Sequence, residues 1–309
     1  MKLSRALDYF YNSIIADGKA EVTLVWYQQR LKRLYAFLGD IDIESVTIND
    51  LRGFVVSLRA KKSVWGDNSF HPTCARSLSV ATIHSYVRAV KRLFNWLEFE
   101  GYITTAENPA IRLKKPKLPK SEPKNITAED FRALLGAVNS TKFPERNRAI
   151  LLFLADTGVR VGGLVGLRVQ DLKLSENMAM VTEKGLKSRY VFFGDETKEA
   201  LQQYLDVRAS SSEYLWIGQR GRLTISGVRV VLRRLTKIAG VTGRTNAHAF
   251  RHFFAKRYLQ NGGDLATLAD LMGHSDVVVT KNSYSIFLTD ELKRKHKEHS
   301  GMRSLLDTE

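Results

Sequence analysis

Six side chains in the second half of this chain combine reactive types with punctuated positions. Arg160 follows Thr157-Gly158 at the end of an apolar run. Lys184 sits at the tip of a predicted hairpin, in Glu183-Lys184-Gly185. His248 and Arg251 are three residues apart, so on a helix they share a face. His274 follows Leu271-Met272-Gly273, where glycine would end a helix. Tyr284 lies just beyond, in the polar stretch TKNSYS. The set is cationic, with imidazole and phenol groups and no carboxylate cluster, so it suits an anionic substrate handled without a metal ion. His248, His252 and His274 could imitate a three-histidine zinc site. Ala249, however, stands where an HExxH hydrolase needs its glutamate, which argues against that chemistry.

These residues need a scaffold, and the composition supplies one. With 44% hydrophobic residues over 309 positions the chain can bury more than one core. Lys and Arg number 48 against 32 Asp and Glu, an excess of +16 that favours a polyanionic partner, nucleic acid first. Cys74 stands alone, which excludes an intrachain disulfide and a cysteine-based zinc cluster. The start, MKLSRALDYFYNS, lacks the apolar core and cleavage site of a signal peptide, and the longest apolar run, 149–155, is too short to span a bilayer. A cytoplasmic protein without membrane contact is expected.

The stretch 108–124 holds four of the six prolines and six basic residues, and reads as an extended basic linker suited to a phosphate backbone. Three regions follow: a helical domain over 1–107, the linker, and a second domain over 125–309. The first half places Leu24, Tyr27, Leu31, Leu34 and Leu38 on one helical face. Thr47 with Asp50 starts another helix, and Ser79 caps a third with Ile83, Val87, Val90, Phe94 and Leu97 inward. The opposite face of that third helix carries His84, Arg88, Lys91 and Arg92, either solvated or laid on DNA. In the second half Thr127 and Asp130 open a helix, and apolar spacing predicts another over 149–156. Alternation over 178–193 predicts a hairpin, with further helices over 226–238, 248–259 and 265–272. The fold class is mainly α with a small β-sheet, α+β.

Taken together, TGVR at 157–160, EKG at 183–185, HAFRH at 248–252, LMGH at 271–274 and Tyr284 resemble the tyrosine recombinase (phage integrase) family in order and spacing. The likeness runs through the whole chain and looks nearest to the compact Xer-like and integron- or transposon-type members. It implies a helical core-binding domain before a catalytic domain. It also implies a homo-tetramer assembled on double-stranded DNA, exchanging strands through a Holliday junction without cofactor or ATP. By the same resemblance Arg160 and Arg251 would grip the scissile phosphate, and His248 would take the tyrosine proton. Lys184 would protonate the departing 5′ oxygen, and His274 would hydrogen-bond the phosphate. Tyr284 would attack, giving a 3′-phosphotyrosine. His252 and Asp171 would support the site. Lys187, Arg189, Arg229, Arg233, Lys237, Arg88, Lys91, Arg92, Lys114 and Lys115 are the expected DNA contacts.

Two departures stand out. Gly163 occupies the place, three after Arg160, where the family usually carries an acid, and Tyr284 falls one residue later than usual. Tyr258 is the rival nucleophile, but its helical slot reads as core. The tail beyond 285, with Ile286, Phe287 and Leu292, could dock on its own domain or on a neighbouring subunit. Two other readings compete: a type IB topoisomerase-like enzyme, and a DNA-binding regulator without catalysis.

Overall fold

The computed structural model describes residues 1–60, 77–118, 126–183, 188–273 and 296, and divides the chain into two compact units, Met1–Ser121 and Glu122–Glu309. The architecture is mainly α-helical with small antiparallel sheets. No helix among the described residues is long and apolar enough to cross a membrane.

The first unit comprises α1 (Leu3–Ala16), α2 (Glu21–Leu38), α3 (Ile48–Ala60) and α4 (Val80–Phe99). Ser79 starts α4 by accepting the Thr82 N–H, and Thr47 and Asp50 exchange hydrogen bonds at the start of α3. α4 buries a broad stripe from Ile83 to Leu97, against which Phe10 packs edge-on to Trp96 at 5.4 Å and to Tyr27 at 5.3 Å. The basic face of α4 divides. Arg88 and Arg92 are exposed, as are Lys114 and Lys115. Lys91, expected as a DNA contact, has carbonyl partners within its own unit. Its ammonium donates to the carbonyls of Ala110, Ile111 and Leu113, the last two at 3.3 and 3.1 Å, and burial lowers its pKa. His84 Nδ1 donates to the Pro116 carbonyl at 3.0 Å. The stretch after 107 is therefore strapped to this unit, with Asn108, Ala110 and Leu113 buried. Proline and basic residues predict an extended course; they do not reveal that carbonyls of that course would find a lysine.

The second unit is built around α6 (Pro144–Thr157), which buries Ala149, Ile150, Leu151, Phe153 and Leu154 with α5 (Ala128–Gly136) nearby in sequence. After α7 (Val161–Gly166) come β1 (Leu172–Lys173), β2 (Met178–Thr182) and β3 (Ser188–Phe192), an antiparallel sheet in the order β1-β2-β3 with Met180 opposite Tyr190. Ala179, Val181 and Val191 face the core, while Met180, Tyr190 and Phe192 are exposed, the alternation expected of a half-covered sheet. Then follow α8 (Asp195–Val207), the short β4 (Ile217–Gly218) and β5 (Gly221–Arg222), α9 (Ile225–Ile238), α10 (Ala247–Gln260) and α11 (Leu265–Met272). Thr224, Asn246 and Asp264 cap α9, α10 and α11 through their side-chain oxygens.

α6 ends at Gly158, whose φ of 58° is left-handed, and a Cβ there would lie 2.5 Å from the Phe254 ring of α10. Gly158→Ala therefore faces both backbone strain and a clash. It should lower unfolding free energy by about 2–4 kcal/mol in denaturant titration. A change below about 0.5 kcal/mol, the level of a neutral surface substitution, would contradict this account.

Candidate active site

The site forms where the C-termini of α6 and α11 meet the β2–β3 hairpin and α10. A helix leaves its last carbonyls without intrahelical donors, at the negative end of its dipole. In α11 three consecutive carbonyls of this kind each accept one guanidinium. Arg189 of β3 donates to Leu271 at 2.6 Å, Arg251 of α10 to Met272 at 2.5 Å, and Arg160 to Gly273 at 3.4 and 3.5 Å. Arg251 also donates to the Gly158 carbonyl at 2.7 Å, so one buried side chain, 4% exposed, ties both helix ends together. Arg160 starts α7 and is half-exposed. The guanidiniums come from three separate places in the sequence, and the turn Leu271-Met272-Gly273 collects them. Gly273 ends α11 at a φ of 62°, and a Cβ on it would press on Arg189 at 2.7 Å.

A carboxylate completes the cluster. Glu183, just after β2, pairs with Arg160 and, at 3.3 Å, with Arg189. Arg189, expected as a DNA contact, has its side chain turned inward onto Glu183 and the Leu271 carbonyl. Asp171 accepts the Arg168 N–H at 2.9 Å and caps its own turn, which corrects its assignment as a support of the site. A carboxylate three residues from a backbone donor in a tight turn closes on that donor first.

His248 and His252 lie one helical turn apart on α10, with Nε2 atoms 2.9 Å apart. Burial lowers the His248 pKa first, and Arg251 and Arg160 add to it. Burial, then His248 and Arg251, push His252 down to about 4. Both rings are therefore neutral near pH 7, with a single proton between them, and a neutral imidazole beside arginines can accept a proton from an incoming acid. The shift has a signed consequence for stability. Above the unfolded value of 6.5 neither state is protonated at His252, whereas between 6.5 and about 4 the unfolded chain binds a proton that the native ring refuses. Stability should fall with pH through that window, by about 1–2 kcal/mol after allowing for solvent screening of a half-buried ring. His252→Gln should flatten the fall in thermal melting; an identical pH profile in the variant would refute it.

Arg229, Arg233 and Lys237 lie exposed on α9, opposite the buried Val228, Leu232 and Leu235. Tyr258 packs beside Phe254, with centroids 6.1 Å apart, among Leu259, Leu265 and Met272, and its ring fills the space that a Cβ on Gly263 would take. No three His, Cys, Asp or Glu side chains among the described residues converge as a metal site. Lys184, Lys187, His274 and Tyr284, and the tail beyond 285 apart from residue 296, lie outside the described residues. The pairing of Glu183 with Arg160 and Arg189 is not marked by spacing; its one readable signal is an acid beside Lys184 with none at 163.

The chain is similar to known proteins in sequence and in fold. The model of the phage integrase family matches residues 124–287. The tyrosine recombinase XerC of Bacillus pumilus (strain SAFR-032) is 34% identical over 299 residues, covering 92% of each chain. Among solved structures, the integrase of transposon Tn1549 in complex with transposon right end DNA superposes with a TM-score of 0.75 at 21% identity, over 95% of this chain and 99% of that one. A lambda integrase tetramer bound to a Holliday junction superposes with a TM-score of 0.70 at 19% identity, over 89% and 78%.

Proposed function

This chain belongs to the phage integrase family, and from that premise we infer how it works as a site-specific tyrosine recombinase, an enzyme that breaks and rejoins DNA. The observation that carries the reading is the gathering of Arg160 and Arg251, with neutral His248, around the ends of α6 and α11. A guanidinium anchored on carbonyls, as Arg251 is, is oriented before any DNA arrives, so little reorganisation is needed when charge builds on a phosphate. Arg251 is fixed from within, and Arg160 reaches solvent.

The steps are those that the family resemblance implies for these residues. The Tyr284 oxygen attacks the scissile phosphorus as His248 accepts the phenolic proton. The bond from phosphorus to the 5′ oxygen breaks, and Lys184 gives that oxygen a proton. Arg160, Arg251 and His274 hold the non-bridging oxygens. The bond energy stays in the 3′-phosphotyrosine, so attack by the 5′ hydroxyl of a second strand reseals DNA without ATP. The unit Met1–Ser121 contributes to holding the duplex. The exposed Arg229, Arg233 and Lys237 of α9, with Arg88, Arg92, Lys114 and Lys115, contact its phosphates. The working assembly is a homo-tetramer on DNA exchanging strands through a Holliday junction in the cytoplasm. The lambda integrase tetramer on such a junction supports that geometry.

The test is a duplex carrying the chain's own site, recovered by selecting bound duplexes from a random pool and nicked beside the cleavage position. In EDTA the wild-type protein should become a DNA adduct that survives denaturing detergent. Absence of the adduct on the selected site would overturn the reading.

A further inference from the structure

We propose that Glu183 is the positioning carboxylate of Arg160, supplied from the end of β2 in place of a side chain that Gly163 lacks. The proposal rests on the reading that Arg160 holds the scissile phosphate. Its own evidence is geometric. A Cβ built on Gly163 would meet Val159 Cγ2 at 3.1 Å and stand 3.6 Å from both Glu183 Cγ and Val181 Cβ, so the glutamate stem lies in contact with the place where a side chain at 163 would begin. The Gly163 backbone is helical and places no conformational demand for glycine. A side chain there would lie against Val159 and run alongside the Glu183 stem. The Glu183 carboxylate is 9% exposed and faces two cations, Arg160 at 42% and Arg189 at 16% exposure.

The arrangement has a function beyond charge balance. Arg160 holds the Gly273 carbonyl only at 3.4 and 3.5 Å, too long to fix its fork. Arg189, by contrast, is pinned at 2.6 Å on Leu271. Glu183 bridges the two, so the loosely held arginine takes its direction from the firmly held one. Arg189 is desolvated and feels Arg160 as a repelling neighbour, with Glu183 opposing both effects. Without the carboxylate, Arg160 would swing toward solvent. Glu183 also immediately precedes Lys184, so the residue that orients the phosphate grip is joined by one peptide bond to the proposed proton donor.

Three variants test this against the wild type on the same selected, nicked duplex, with single-turnover cleavage, DNA affinity and melting temperature measured for each. Glu183→Gln keeps the shape and removes the charge. It should slow adduct formation about 10–100-fold while affinity changes less than about threefold. Gly163→Glu alone should also slow it, since it buries a second carboxylate against the first. The exchange Glu183→Gly with Gly163→Glu should recover cleavage to within about tenfold of wild type, a rescue that mere loss of packing would not produce. Glu183→Gln cleaving at the wild-type rate or faster would overturn the proposal. A rate loss no larger than the loss of affinity would do the same. Should Glu183→Gln fail to fold, the exchanged variant decides: cleavage within tenfold supports the proposal, and a folded, inactive protein overturns it. Failure of the wild type itself would fall on the recombinase reading instead.

Discussion

Tyr284→Phe is expected to form no covalent DNA adduct, a loss of roughly 10,000-fold or more, while Tyr258→Phe forms it at the wild-type rate. The change removes one oxygen, and with it the only atom that can bond phosphorus in the proposed step. The contrast with Tyr258 gives the experiment its force. Tyr258 sits on α10 among Phe254, Leu259, Leu265 and Met272, its ring against Gly263, and a phenol packed in that way is not presented to a phosphate. Tyr284 lies one residue beyond the position usual in the resemblance, so Ser283 occupies that position here. The check is denaturing gel electrophoresis of the nicked duplex after incubation in EDTA. An adduct with Tyr284→Phe, mapped by peptide mass to another residue, would displace Tyr284 from its role.

Arg251→Lys is the second large effect. The residue donates to the carbonyls of Gly158 and Met272 from within the protein, at 2.7 and 2.5 Å. Lysine keeps the charge but is a point donor, so it cannot span two carbonyls on different helices with a planar fork. One helix end then loses its partner, and the remaining ammonium is aimed wherever the other end pulls it. Cleavage should fall about 100–1,000-fold, the scale for losing one preorganised donor to a developing oxyanion. Stability should fall by about 1–3 kcal/mol for the buried carbonyl left unpaired. The two losses separate experimentally. Denaturant unfolding reports the second, and single-turnover cleavage at a temperature where the variant is folded reports the first. Wild-type cleavage by a folded Arg251→Lys protein would remove Arg251 from the phosphate grip.

Much of this molecule is legible from residue order alone. Helix starts at Thr47, Ser79 and Thr127 follow from side chains that accept their own backbone donors a few residues on, which is local chemistry. The hairpin and its half-buried alternation follow from a two-residue period, and the α10 pairing of His248 with Arg251 from a helical one. Types and spacing were therefore enough to name Arg160, His248 and Arg251, and the family with them. Where a charged side chain turns was not contained in that information. Long basic residues default to solvent, so residue order alone puts Lys91 and Arg189 on DNA. Lys91 instead meets three carbonyls of the strap after 107, and Arg189 meets Leu271 and Glu183. Asp171 was assigned to the site and closes its own turn. In each case the deciding partner is a backbone carbonyl, a neighbouring N–H or a distant carboxylate. A carbonyl is present at every residue, so sequence cannot mark which one will be unsatisfied; that depends on where a helix ends and what packs beside it. The sequence determined which residues could do the chemistry. Only the tertiary structure decided that Leu271, Met272 and Gly273 would gather three arginines, and that Glu183 would stand in the space beside Gly163.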